Sequence, residues 1–166
     1  MKKKIFVMTA CALSFVMCLL GFAGCWLFKA ADKEYEVLDM KITLTDDFYE
    51  LENIAQTGCF QSQKAIVTAL KEGFSEYPGL DSYTLMQYTS ASLESNGIDA
   101  DIYQREGKNY MYFTYERSAS GKNFYYLATT HKTGDAFWLI QFGCETKNKE
   151  EFTDKFLNWA DTVTFS

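Results

Sequence analysis

The chain has 166 residues, with 16 Lys and Arg set against 22 Asp and Glu, for a formal net charge of −6. Lys2, Lys3 and Lys4 open the sequence, so residues 25–166 hold 13 basic and 22 acidic groups, a charge of −9. That balance excludes a nucleic-acid partner, which demands a basic patch. An aromatic content of 17% speaks for a packed core over a disordered chain.

The first element is an address. Lys2 to Lys4 precede an uncharged apolar run through Ala10, Leu13, Val16 and Leu20, which closes on Phe22-Ala23-Gly24-Cys25. Basic, apolar and then small residues make an export signal. The ending resembles the bacterial lipobox, which implies transfer of diacylglycerol to the Cys25 sulfur and cleavage after Gly24. Two acyl chains give a stable anchor where one gives marginal binding. The alternative is an uncleaved signal anchor, because no charge occurs from Ile5 to Phe28 and those residues would span a core of ~30 Å at ~1.5 Å each. Either reading puts Asp32 onward outside the cytoplasm. The expected organisation is a lipoprotein signal peptide over 1–24, a lipidated tether over 25–36 and one domain over 37–166, a length that suits a single core.

After the tether, Val37 to Leu44 reads as a strand ending in the turn composition Thr45-Asp46-Asp47. Thr57 to Gln61 and Ala65 to Lys71 read as two more, joined by a polar Ser62-Gln63-Lys64 turn; Ala65 to Phe74 also fits a helix. Tyr77-Pro78-Gly79 breaks the pattern. Ser82 is a candidate N-cap for a helix whose Leu85, Tyr88, Ser92 and Leu93 share a face and which stops at Asn96-Gly97. Asp101 to Arg105, Asn109 to Ser118, Lys122 to Lys132 and Ala136 to Thr146 are then linked by short glycine-containing turns, the pattern of an antiparallel meander.

Within the meander, Tyr110 and Tyr112 alternate with Met111 and Phe113, and Phe137 and Leu139 with Trp138 and Ile140. Both faces are therefore apolar, and both need a cover. A second helix is expected after Asn148, with Glu151 completing a capping box and Phe152, Phe156, Trp159 and Val163 along one side. The predicted fold is α+β, a three-layer α/β/α sandwich on a central, mainly antiparallel sheet, preceded by the N-terminal signal or anchor helix.

This order of elements resembles the PsbP-like (PsbP/Mog-type) fold family. The matching features are Lys41-Ile42-Thr43-Leu44 followed by an acidic turn and Phe48, the Leu85-Met86-Gln87-Tyr88 helix, and Asp135 to Phe142 leading into a helix with Phe156. The likeness runs over most of Val37 to Phe165 and is nearest to the family's small bacterial lipoproteins. It implies the fold; members bind different partners, and none lends a catalytic motif to this chain.

Catalytic chemistry finds few candidates. The one histidine, His131, falls on a predicted strand, where an exposed side chain is expected, and no Gly-x-Ser-x-Gly elbow occurs. No catalytic residue, metal site or cofactor is expected; Asp46, Asp47, Glu50, Asp99 and Asp101 lack a calcium-loop pattern. Of the five cysteines, Cys11 and Cys18 lie in the signal and Cys25 is the lipid acceptor. Cys59 and Cys144 either bridge or, as their apolar settings favour, stay as two buried thiols. Tyrosines crowd the meander beyond what a core needs, since each buried hydroxyl requires a partner. Tyr110, Tyr112, Tyr125 and Tyr126 are thus the candidate binding surface, unless they pack beneath the helices with their hydroxyls at the rim. The expected function is a non-enzymatic, membrane-anchored accessory module that binds a protein of the cell envelope. The alternatives are a small-ligand or saccharide binder, a hydrolase built from scattered carboxylates, and the same domain on an uncleaved transmembrane anchor.

Overall fold

The computed structural model of the protein describes residues 30–52 and 55–166. The signal segment, Cys25 and the transmembrane alternative lie outside the described residues. Among the described residues no helix is long and apolar enough to cross a membrane.

The domain opens on a hairpin. Strand β1 (Asp32–Val37) pairs antiparallel with β2 (Met40–Thr45) from Asp32↔Thr45 to Val37↔Met40. Residues 32–36, expected to be tether, therefore belong to the fold. Their sequence hides this because Tyr35 is the one buried residue among charged neighbours, and Lys41 on β2 lies 3.6 Å from both Glu34 and Glu36. Short β3 (Tyr49–Glu50) leads to β4 (Gly58–Gln61) and β5 (Ala65–Gly73). The 65–74 segment is a strand and not a helix: β5 pairs with β4 on one side and with a later strand on the other, and Ala65 to Ala69 are buried without interruption.

Helix α1 (Leu85–Asn96) is capped by Thr84 and not by Ser82. Gln87 N donates to Thr84 Oγ1 at 3.2 Å while Thr84 N donates to Gln87 Oε1 at 2.9 Å, a reciprocal box. Ser82 instead donates to the Gly79 carbonyl from inside a short 3-10 turn. At the other end Gly97 takes φ 59, the left-handed stop expected of it.

The meander follows as β6 (Tyr103–Gln104), β7 (Met111–Ala119), β8 (Lys122–Lys132) and β9 (Ala136–Glu145). Ser120 and Gly121, at φ 51 and 76, form the two-residue turn whose twist suits β7 and β8. Helix α2 (Lys149–Ala160) departs from its expected start, since Asn148 makes no side-chain cap. A 3-10 turn over Thr146–Asn148 leads directly into the helix, and Glu151 pairs with Lys64 and Lys155 in place of a capping box. Strand β10 (Thr164–Phe165) closes the chain against β2.

These elements build two sheets, of strand order β3-β4-β5-β9-β8-β7-β6 and β1-β2-β10. Every pairing is antiparallel. The large sheet is the middle layer. On one face α1 and the following Ile98 to Ile102 cover Phe113, Phe124, Ala128 and Leu139. On the other, α2 and the small sheet together cover Val67, Leu127, Trp138, Ile140 and Phe142. The α/β/α sandwich is as expected, with a small sheet sharing the α2 layer. Cys59 and Cys144 are buried and not bridged to each other. Cys59 pairs with Thr68, one residue out of phase with the Phe60–Val67–Phe142 row on the α2 face to which Cys144 belongs. Their side chains therefore leave opposite faces of the sheet.

Candidate functional site

Successive residues of a strand point to opposite faces, so the four predicted tyrosines cannot share a surface. Tyr110 and Tyr125 are buried in the α2-side core, Tyr126 in the α1-side cluster, and Tyr112 is half-buried against the α2 side. This corrects the expected exposed patch, and the packing beneath the helices is the arrangement found. Tyr126 lies flat over Gly143, where a Cβ would come within 2.8 Å of its ring.

The Tyr110 hydroxyl does reach a rim. It donates to Asp161 Oδ1 at 2.7 Å, just past the end of α2. Arg105 grips the same carboxylate through Nε at 3.2 Å and Nη2 at 2.7 Å, and Lys108 Nζ donates to the Asp161 carbonyl at 2.8 Å. Arg105 holds the Asp161 carboxyl below its ordinary range, while burial, reinforced by that carboxylate, raises the Tyr110 phenol. This cluster joins the β6–β7 turn to the end of α2. Asp161→Ala strands both Arg105 and Tyr110, so a loss of about 1–2 kcal/mol is expected in urea unfolding, with Tyr110→Phe costing less.

Tyr112 carries on its outer side Tyr103, whose ring stacks at 5.4 Å and which is 49% exposed. Tyr103 lies within the expected Asp101 to Arg105 strand but outside the expected binding surface. Sequence reasoning missed Glu72, which lies past the expected strand end at Lys71. Glu72 continues the alternation Ile66, Thr68, Leu70 into the α1 face of β5 and is buried. Its carboxylate accepts from the Tyr88 hydroxyl at 2.5 Å, and the Tyr88 ring stacks on Phe137 at 4.2 Å. Burial raises the Glu72 pKa, opposed by the Tyr88 bond.

His131, expected on an exposed strand position, is buried, because β8 is an inner strand of the large sheet. Its ring lies between Tyr110 and Phe165, with Nε2 3.0 Å from Thr129 Oγ1. Burial lowers its pKa to about 3, so it is neutral at ordinary pH. Among the described residues no group of three or more His, Cys, Asp or Glu side chains is placed to hold a metal.

An opening lies at the end of β1 away from Asp32. It is a cleft of about 590 Å³ between the β1–β2 turn, the loop after β5 and the loop before β9. Leu38, Lys71, Phe74, Glu76 and Asp135 are among the residues that line it. Lys71 Nζ is 2.9 Å from Asp39 and 3.0 Å from Asp135, and 5.6 Å from the centre of the Trp138 ring. The hydrogen bonds to Asp39 and then Asp135 raise the Lys71 pKa, while the bond from Lys71 lowers that of Asp135. This end of the fold offers surface, charge and an exposed apolar side chain together.

No family model and no curated protein sequence matches the chain. Solved structures do. Cyanobacterial PsbP (CyanoP) from Synechocystis sp. PCC 6803 is similar at 11% identity and a TM-score of 0.50, over 89% of this chain and 99% of that one. The Ran-binding protein Mog1p of Saccharomyces cerevisiae is similar at 8% identity and a TM-score of 0.54, over 82% and 96%. LpqN of Mycobacterium tuberculosis, involved in cell envelope biogenesis, is similar at 12% identity and a TM-score of 0.50, over 82% and 85%. At such identities the likeness is one of fold: the described domain has the fold seen in PsbP and Mog1p.

Proposed function

We propose that the protein is an accessory module of the cell envelope, anchored through lipid on Cys25 and working by binding a protein partner and not by catalysis. One observation carries the reading: the fold is already engaged at Ala31, a few residues along the sequence from Cys25. Ala31 N donates to Asp46 Oδ1 at 3.1 Å, and Asp46 N donates to the Ala31 carbonyl at 2.8 Å. About six residues then separate Cys25 from the domain, a reach of roughly 20 Å. A domain on so short a lead works close to the membrane. The neighbours of like fold agree in kind, one being Ran-binding and another taking part in envelope biogenesis. The buried groups fit as well, since His131 and Glu72 are enclosed within the packed layers.

Metabolic labelling with an alkynyl fatty acid tests the anchor. Label is expected on the full chain and absent from Cys25→Ala, with the mature N-terminus at Cys25 by mass spectrometry. Label on the variant, or an intact N-terminal segment on an unlabelled parent, overturns the lipid anchor and favours the transmembrane alternative.

A further inference from the structure

We infer that the end of the sandwich carrying the β1–β2 turn is a docking surface for a polypeptide segment with apolar side chains flanked by Lys or Arg, and that Leu38 is its anchor. The inference rests on reading the protein as a binding module; it does not depend on the chemistry of the membrane anchor.

Leu38 is the first of the two residues between the paired Val37 and Met40. Its φ is 52, the left-handed region in which glycine sits freely and a side chain does not. It is also 65% exposed and stands outside each of the packed apolar clusters. A leucine here is unfavourable for the backbone and for solvation together. Asparagine or glycine would serve the turn better. What leucine adds is an apolar knob on the protein surface.

The knob has apolar neighbours. Across the cleft stands Phe74, half-buried against Leu80, Tyr88 and Phe137 together with Tyr77, Tyr83 and Leu85. Met86, 44% exposed, follows in the first turn of α1. Leu38 and Met86 are two of the four exposed large apolar residues among the described residues; Leu38 lines the cleft with Phe74 of this cluster, and Met86 follows the cluster's Leu85 along the chain.

Charge specifies the occupant. Glu76 and Asp135 line the cleft, Asp39 follows Leu38 in the turn and Asp81 follows Leu80 of the apolar cluster, against Lys71 and Lys132. Lys71 is held by Asp39 and Asp135, and Lys132, exposed at the end of β8, has its Nζ donating to the carbonyls of Asp81 at 2.9 Å and Tyr83 at 2.7 Å. Four carboxylates against two ammonium groups leave this end acidic by two charges, complementary to a basic segment and repulsive to anionic lipid. β1 also carries this end about 20 Å from Asp32, at ~3.3 Å per residue. A protein segment reaches it more readily than the bilayer does.

The test uses the full chain in nanodiscs of zwitterionic lipid and a short fluorescent peptide of leucine pairs separated by lysines, with its glutamate counterpart as control. Anisotropy, corrected for empty nanodiscs, is expected to report binding of the lysine peptide alone. Leu38→Gly should weaken it about tenfold, equivalent to about 1.4 kcal/mol, while the thermal midpoint stays at or above the parent's. Leu38→Asn, which also tolerates the left-handed turn, is the second variant should the first fold poorly. Equal binding of the two peptides, or unchanged affinity in a folded Leu38 variant, overturns the proposal. So does self-association without peptide that disappears in Leu38→Gly, which assigns the surface to a second copy. Failure here with normal fatty-acid labelling removes this surface alone, and loss of labelling with peptide binding intact removes only the lipid anchor.

Discussion

Phe156→Ala is expected to lower the unfolding free energy by about 3–5 kcal/mol, the range for deleting a fully enclosed aromatic ring. Phe156 is 0% exposed and sits where both sheets meet α2. Its ring centre lies 5.4 Å from Phe152, 5.7 Å from Phe142, 5.8 Å from Trp159 and 6.3 Å from Tyr125. Helix α2 depends heavily on this packing, because twelve residues are marginal as an isolated helix and its start lacks a side-chain cap. In urea the midpoint should fall with the slope unchanged. Phe156→Leu, which refills part of the volume, should cost about 1–2 kcal/mol. A loss under about 1 kcal/mol for the alanine variant would show that α2 is not seated on the sheet in this way.

How far such packing is legible in sequence depends on how many faces a segment buries. The meander is legible because its strands are apolar on both faces; β8 and β9 are buried almost throughout. The stripe of α2 is legible at Phe152 and Phe156, which are buried, and less so at Trp159 and Val163, which are partly buried, Val163 lying past the helix end. β1 is not legible, since it buries Tyr35 and leaves Lys33, Glu34 and Glu36 in solvent. Nor is β10, two residues whose pairing to β2 joins the two ends of the domain. The same logic governs the site. Clustering of tyrosines along the chain suggests a surface, yet Tyr125 and Tyr126 diverge to opposite layers by strand geometry alone. His131 turns from exposed to buried once β8 is known to be an inner strand, and that depends on strand order, which no local pattern encodes. Leu38 escapes notice because leucine is not a turn residue; its significance lies in that mismatch.

Acidification should expose the cost of enclosing His131. In the unfolded chain its imidazole has the ordinary pKa of 6.5, and in the fold burial lowers that to about 3. Above the unfolded value both states are neutral and the residue contributes no pH dependence. Between 6.5 and about 3 the unfolded chain takes up a proton that the folded domain refuses, so stability falls as pH falls. The slope approaches about 1.4 kcal/mol per unit once the pH is well inside that window. Other groups titrate nearby with their own signs. Asp161, Asp135, Glu145 and Glu151 have lowered pKa values, so their stabilisation is lost as pH drops below the ordinary carboxylate range. Glu72 has a raised pKa, so its protonated form favours the fold and stability is lost as pH rises through the folded value. Comparison with a matched variant cancels these contributions. His131→Gln keeps a polar group beside Thr129 but does not titrate, and the carboxylates are common to both proteins. The stability difference between parent and variant, from urea titrations at half-unit steps, should be constant from pH 8 to 7. Below about pH 6 it should move steadily against the parent, reaching roughly 2–3 kcal/mol near pH 4.5. A difference that stays flat to pH 4 would mean the imidazole accepts its proton inside the fold, through water reaching the Tyr110–Phe165 enclosure.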